Sequence, residues 1–273
     1  MAAAVLLALP GVTEAGLIRS GAGASPADIQ AVVDAFRADL GPLNPNTPGS
    51  LLTGRREINW AGIPDAFATP NFLPGDFFNQ NVPGRVRGVT FATPGVGVQA
   101  SADSSNPTVT PVRIGNINYI YANISQTFTP ERLSSPIGSN IVDLAFFVPG
   151  TITLAAVRVF GAVYSEADIA GDTSFEYFDI GGHSLGKFLV PTFNNGLSFM
   201  GVSFPDAIVG WVQIVYGTGA LGPDDGPGNE VAVMDDLIYG EPQAVSEPSA
   251  LALAGLGLLG LAVLRRKGKA GWA

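Results

Sequence analysis

The sequence predicts an all-β fold: an antiparallel two-sheet sandwich of jelly-roll type, with one N-terminal amphipathic helix and a C-terminal hydrophobic sorting helix. Three observations lead there. Gly (35) and Pro (21) are abundant, and these residues punctuate chains built of short strands. Runs rich in Val, Ile, Phe and Tyr recur between those breakers from Gly88 onward. A single segment ahead of them carries a helical repeat instead. Hydrophobic residues make up 47% of the 273-residue chain, enough for a substantial core.

Taken in order, residues 1–15 read as a truncated signal peptide. Positions 2–9 are apolar, Pro10 and Gly11 break the run, and Thr13-Glu14-Ala15 offers a small-x-small cleavage site before Gly16. No basic residue precedes the apolar stretch, which leaves a buried apolar segment as the alternative.

Residues 16–54 hold the helix and a linker. Ser25-Pro26-Ala27-Asp28 supplies a cap residue, proline at the first helical position and an early acid. Ile29, Val32, Val33, Phe36 and Leu40 then follow at helical spacing until Gly41-Pro42 stops the run. The apolar stripe is expected to dock on the main domain.

Residues 55–242 form the sandwich domain. The stretch 42–87 mixes Pro, Gly and Asn with Trp60, Phe67, Phe72, Phe77 and Phe78, so it reads as irregular, partly packed structure with short strands. Strands are expected at 89–93, 118–122, 141–148, 155–164, 174–180, 185–190, 197–204, 209–216 and 231–239. Gly181-Gly182-His183-Ser184 is the turn of a hairpin.

Residues 243–273 are a separate tail. Glu247-Pro248-Ser249 precedes an unbroken apolar run at 250–264, followed by Arg265, Arg266, Lys267 and Lys269. Fifteen helical residues span about 22 Å, short of the roughly 30 Å of a bilayer's hydrocarbon core. A marginal span with a basic cluster on the cytoplasmic side suits a transient anchor awaiting cleavage, with a plain tail anchor as the alternative.

Charge narrows the partners. The formal net charge is −9, and loss of both ends removes four bases and one acid, which leaves −12. Such a surface repels nucleic acid and anionic lipid and attracts divalent cations. The chain has no cysteine, which excludes disulfides and thiolate metal sites.

The tail resembles the PEP-CTERM sorting signal, whose pattern is Pro-Glu-Pro, an apolar helix and a basic cluster. Glu247, Pro248, Arg265 and Arg266 carry the match, and Ser246 stands in place of the first proline. The resemblance implies a Gram-negative bacterium, passage through the secretion machinery and transient inner-membrane insertion. It also implies processing by exosortase and release to the cell surface or matrix, where such proteins accompany exopolysaccharide. The segments FGAVYSEADIAGDTSFEYFDIGGHSLGKFLVP and GLSFMGVSFPDAIVGWVQIVYGTGALGP, with VMDDLIYGEP, are similar to the body of a group of PEP-CTERM surface proteins. More loosely, they are similar to carbohydrate-binding sandwich modules.

Candidate chemistry is sparse. Asp235-Asp236 lies in a strand whose two faces are both apolar, and strand alternation sends the two carboxylates to opposite faces. At least one then points into a protein layer and needs a cation or several donors. A structural calcium held by Asp235, Asp236 and Asp168 is one solution, with Glu166, Asp172, Asp224 and Asp225 as further oxygen sources. Arg158 is another. The acidic loop 222–230 reads as a solvated surface turn. His183, the single histidine, sits in the hairpin turn; Gly182-His183-Ser184-Leu185-Gly186 spells Gly-x-Ser-x-Gly, but between two expected strands rather than at the strand-to-helix turn a nucleophile elbow needs, so no catalytic set emerges.

Trp60, Trp211, Tyr119, Tyr121 and Tyr216 are the aromatics available to stack on sugar rings, although the alternation around Trp211 favours the core for it. The leading reading is a non-catalytic surface or matrix protein that binds polysaccharide. The rivals are a secreted carbohydrate-active enzyme using a carboxylate pair, and a purely structural matrix component.

Overall fold

A computed structural model describes residues 16–222 and 228–245. Among these the elements run β1 (Leu17–Gly23), α1 (Pro26–Leu40), β2 (Arg55–Ile58), β3 (Val89–Ala92), β4 (Gly97–Ala100), α2 (Tyr121–Ile124), β5 (Ser134–Ile137) and β6 (Ile141–Phe146). Then come β7 (Ala155–Ala156), β8 (Val159–Ser165), β9 (Ser174–Phe178), β10 (Ser184–Leu189), β11 (Leu197–Ser203), β12 (Trp211–Val215), β13 (Val233–Gly240) and β14 (Gln243–Ala244). One sheet has the order β1-β11-β8-β13-β5-β4, with β2 also paired to β13. The second has the order β10-β9-β12-β6-β3, and β14 pairs with β7 alone.

The two sheets face each other across one apolar core. On β6, Val142, Leu144 and Phe146 are buried while Ile141, Asp143 and Ala145 are half-buried. That period of two turns one face of the second sheet inward and the other outward. Phe160, Ala162 and Tyr164 of β8 meet Phe175, Tyr177, Val212 and Ile214 from across the gap. Phe160 and Phe175 pack edge to face with ring centres 5.4 Å apart.

The central strands β8, β11 and β13 of the first sheet are buried on both faces because α1 covers its outer side, while the edge strand β1 stays partly exposed. Its start is built as the sequence expects: the Asp28 carboxylate accepts from the Ser25 amide at 2.9 Å and the Ser25 hydroxyl at 2.8 Å. Ile29, Val33, Phe36 and Leu40 then pack on Val159, Val163, Leu197, Phe199 and Ile238. Phe36 needs a flat seat. Gly161 and Gly201 are cross-strand partners on β8 and β11, and a Cβ on Gly201 would lie 2.4 Å from the Phe36 ring.

The Pro/Gly-rich segment before β3 is tied down by a buried ion pair. Arg56 and Glu241 meet at 2.7 and 2.8 Å, with side chains 0% and 1% exposed. Arg56 also donates to the Pro45 and Val86 carbonyls, while Glu241 accepts from Asn44 and the Leu51 amide. Every polar atom of the pair thus has a partner, the condition under which a buried pair is tolerated.

Several expectations change. Residues 118–122 are not a strand: the Tyr121 amide bonds to the Asn118 carbonyl, the short helix α2 follows, and Tyr121 is buried against Leu221, Val231 and Val233. β1, β4 and β5 form where no strand was expected, and β2 is one short strand in the irregular stretch 42–87. Their sequences LIRSGAG, RREI, GVQA and SSPI are poor in β-formers, and pairing with β11, β13 and each other decides their conformation. The expected signal peptide and hydrophobic tail helix lie outside the described residues. Among the described residues no helix is long and apolar enough to cross a membrane.

Candidate functional site

The outward face of the second sheet is a grid, regular except for a bulge in β10 between Ser184 and Gly186. One row across the strands is Ser184, Phe178, Trp211, Ala145 and Thr90; the next is Lys187, Glu176, Gln213, Asp143 and Ala92. Trp211 and Phe178 stack with ring centres 3.8 Å apart and planes 3° from parallel. Phe178 therefore covers one face of the indole, and the cross-strand neighbour on the other side is only alanine. In the second row, Gln213 donates to Asp143 at 3.0 Å and Ser184 donates to Glu176 at 2.7 Å.

This corrects the core assignment of Trp211. The alternation around it is real, but the buried set on β12 is Val212 and Ile214, one residue out of phase. The other candidates divide sharply. Trp60, Tyr121 and Tyr216 are 1%, 1% and 2% exposed, whereas Tyr119 is 74% exposed. Trp60 has a structural duty instead: its indole N–H donates to the Asp235 carbonyl.

Asp235 and Asp236 form the second arrangement of note. Met234 pairs with Tyr164 and Leu237 with Ala162, so β13 spends three steps where β8 spends two. The extra residue is a β-bulge that sets both aspartates opposite Val163. The carboxylates consequently share one side of the strand rather than pointing to opposite faces. Thr129 demonstrates this, since its amide donates to Asp235 Oδ2 at 3.2 Å and its hydroxyl to Asp236 Oδ2 at 3.0 Å. The Phe128 amide also donates to Asp235 Oδ2, and Arg37 Nη2 to Asp236 Oδ2 at 3.2 Å. Arg158, the partner expected from sequence, donates to the Asp39 carbonyl instead.

Asp168 is not brought to this pair. It lines a cavity of about 270 Å³ with Glu166, Asn194, Asn229 and Glu230. Among the described residues no three acidic or histidine side chains converge in a way that would hold a metal ion, so the Asp235, Asp236 and Asp168 calcium set is not assembled. Glu230, expected in a solvated turn, is 4% exposed and accepts from the Ile169 amide and the Thr173 hydroxyl. Burial pushes its carboxyl upward, with Asp172 and Asp168 adding to the shift. Residues 223–227 of that loop, including Asp224 and Asp225, lie outside the described residues.

His183 belongs to the β9–β10 hairpin. Its ring Nδ1 lies 3.0 Å from Asp179, its backbone closes the turn, and its side chain is 83% exposed.

Sequence comparison addresses the end of the chain. Residues 244–267 match the PEP-CTERM protein-sorting motif. No curated protein and no solved structure matches the chain. The PEP-CTERM match takes in Glu247, Pro248, Arg265 and Arg266, which all lie outside the described residues. It indicates a protein that is exported and sorted to the cell envelope or surface, and exosortase is the partner that recognises this motif. The described part of the PEP-CTERM match begins at Ala244, in β14.

Proposed function

We propose that this surface-sorted protein is non-catalytic and binds polysaccharide across the outward face of its second sheet. The observation that carries the reading is the Trp211–Phe178 stack, an apolar platform placed on a solvent-facing sheet rather than in the core. The apolar C–H face of a sugar ring packs against an aromatic face, and its hydroxyls need polar partners alongside. Here Glu176, Gln213 and Asp143 form a second row two residues along the strands, about 7 Å away. Two of those three side chains are carboxylates, and the chain as a whole carries −9, so the ligand is a neutral polymer rather than an anionic one.

The sandwich is of jelly-roll type. In support, with the two-residue β7 set aside, strands β5, β6, β8, β9, β10, β11, β12 and β13 interleave in chain order as β5-β13-β8-β11 in one sheet and β6-β12-β9-β10 in the other. The host is a Gram-negative bacterium, and the tail anchors the protein in the inner membrane before release.

Affinity electrophoresis of the protein against neutral and anionic polysaccharides tests the reading. Trp211→Ala should weaken binding by about 2 kcal/mol, roughly thirtyfold, with an unchanged circular dichroism spectrum. Retardation by no polysaccharide, or retardation unaffected by Trp211→Ala, defeats it. Release of reducing ends that stops in Glu176→Gln or Asp143→Asn would establish the enzyme reading instead.

A further inference from the structure

We propose that Asp235 and Asp236 hold one proton between their Oδ1 atoms, and that this proton fastens α1 and the 125–132 loop to the first sheet. The pair is sealed, at 0% and 1% exposure. Each Oδ2 atom is taken by donors, from Phe128 and Thr129 for Asp235, and from Thr129 and Arg37 for Asp236. Each Oδ1 atom is buried and meets no donor among the described residues. Two carboxylates on adjacent bulge residues, each with one unsatisfied buried oxygen, are satisfied together by a single shared proton. Among the described residues both side chains are sealed from solvent, which suits a fastening rather than a catalytic dyad.

The surrounding charges agree. From α1 come Arg37 and, at the rim, Asp34; from β2 come Glu57 and Arg55; the 125–132 loop presents only the Phe128 amide and the Thr129 amide and hydroxyl; β8 presents Val163. Arg37 is divided among Asp236, Glu57 and Asp34, and Arg55 is held by Glu57 and the Gly41 carbonyl. Two full negative charges on the pair would therefore have a fraction of one cation between them. Burial pushes the Asp235 carboxyl well above its ordinary range, the Asp236 charge adds to this, and the Phe128 and Thr129 amides offset only part. Burial also raises Asp236, against the pull of Asp235, Thr129 and Arg37.

The sign of the pH dependence follows. Groups whose folded-state proton affinity exceeds the unfolded one contribute stability that is complete below the ordinary carboxylate range. That contribution is lost as pH rises through the folded value. The protein is thus fastened by acid and loosened by base at this joint.

The test compares the full-length protein with Asp235→Asn. The amide supplies a fixed donor toward Asp236 Oδ1 while its oxygen still accepts from Phe128 and Thr129. Melting temperatures are measured from about pH 4 to about pH 9, with and without chelator. The wild type should lose several degrees relative to the variant as pH rises, and the variant should be at least as stable above neutrality. Infrared spectra of the wild type should show a protonated-carboxyl band that persists above the ordinary carboxylate range and is absent from Asp235→Asn. Exchange of the Phe128 and Thr129 amides should accelerate as that band disappears. Parallel melting curves, or no protonated-carboxyl band in the wild type, overturn the proposal. A wild-type melting temperature lowered by chelator overturns it too, because a cation would then occupy the place assigned to the proton.

Discussion

Arg37 and Asp236, 199 residues apart in the chain, meet at 3.2 Å. The contact joins the N-terminal helix to the last long strand, and Arg37 extends it to Glu57 on β2 at 2.9 Å. One guanidinium therefore ties together three elements that are remote in sequence. Arg37→Met should destabilise the protein by roughly 2–3 kcal/mol. This is less than the 3–5 kcal/mol typical of a fully buried pair, because the Arg37 side chain is 21% exposed. Denaturant unfolding measures the difference. A loss below about 0.5 kcal/mol, the scale of an ordinary surface substitution, would assign the attachment of α1 to apolar packing alone.

The glycine seat under Phe36 makes a steric prediction. Gly201→Ala places a methyl group 2.4 Å from the Phe36 ring in a strand that cannot retreat, and should cost about 1–3 kcal/mol. Combining it with Phe36→Leu should recover part of that cost, since the smaller side chain vacates the space the methyl needs. Strict additivity of the two changes in thermal unfolding would show that they do not share the site.

Glu241 is expected to be the most sensitive single carboxylate. Its removal leaves Arg56 buried and unpaired among carbonyls, and also frees Asn44 and the Leu51 amide. Glu241→Ala should cost about 3–5 kcal/mol. Replacing both partners with apolar residues, Arg56→Met with Glu241→Leu, should cost less than the single change. Equilibrium unfolding of the three variants decides it.

The PEP-CTERM match predicts a processed product. Intact-mass measurement on protein recovered from the native cell surface should find a chain lacking 250–273. Recovery of Trp272 in that material would mean the tail is retained as an anchor.

Elements whose causes are local were legible in the sequence. The capping residues Ser25 and Asp28, the 3.6-residue stripe and Gly41-Pro42 all act within a few positions, and α1 occupies 26–40 as expected. The runs that became β6, β8, β9, β11, β12 and β13 declared themselves through side chains alone. The sorting motif was also readable, because its recognition depends on a linear pattern. The tertiary structure decided what depends on partners. β1 is a strand because β11 offers it a ladder, and β5 because β4 does, with one further pair to β13. Trp211 faces solvent because strand alternation names two faces without saying which meets the core, and a shift of one residue exchanges them. For the same reason the bulge in β13 was invisible from the sequence. It is defined by the count of residues on the neighbouring strand, and that count alone turns Asp235 and Asp236 from opposite faces into one buried pair.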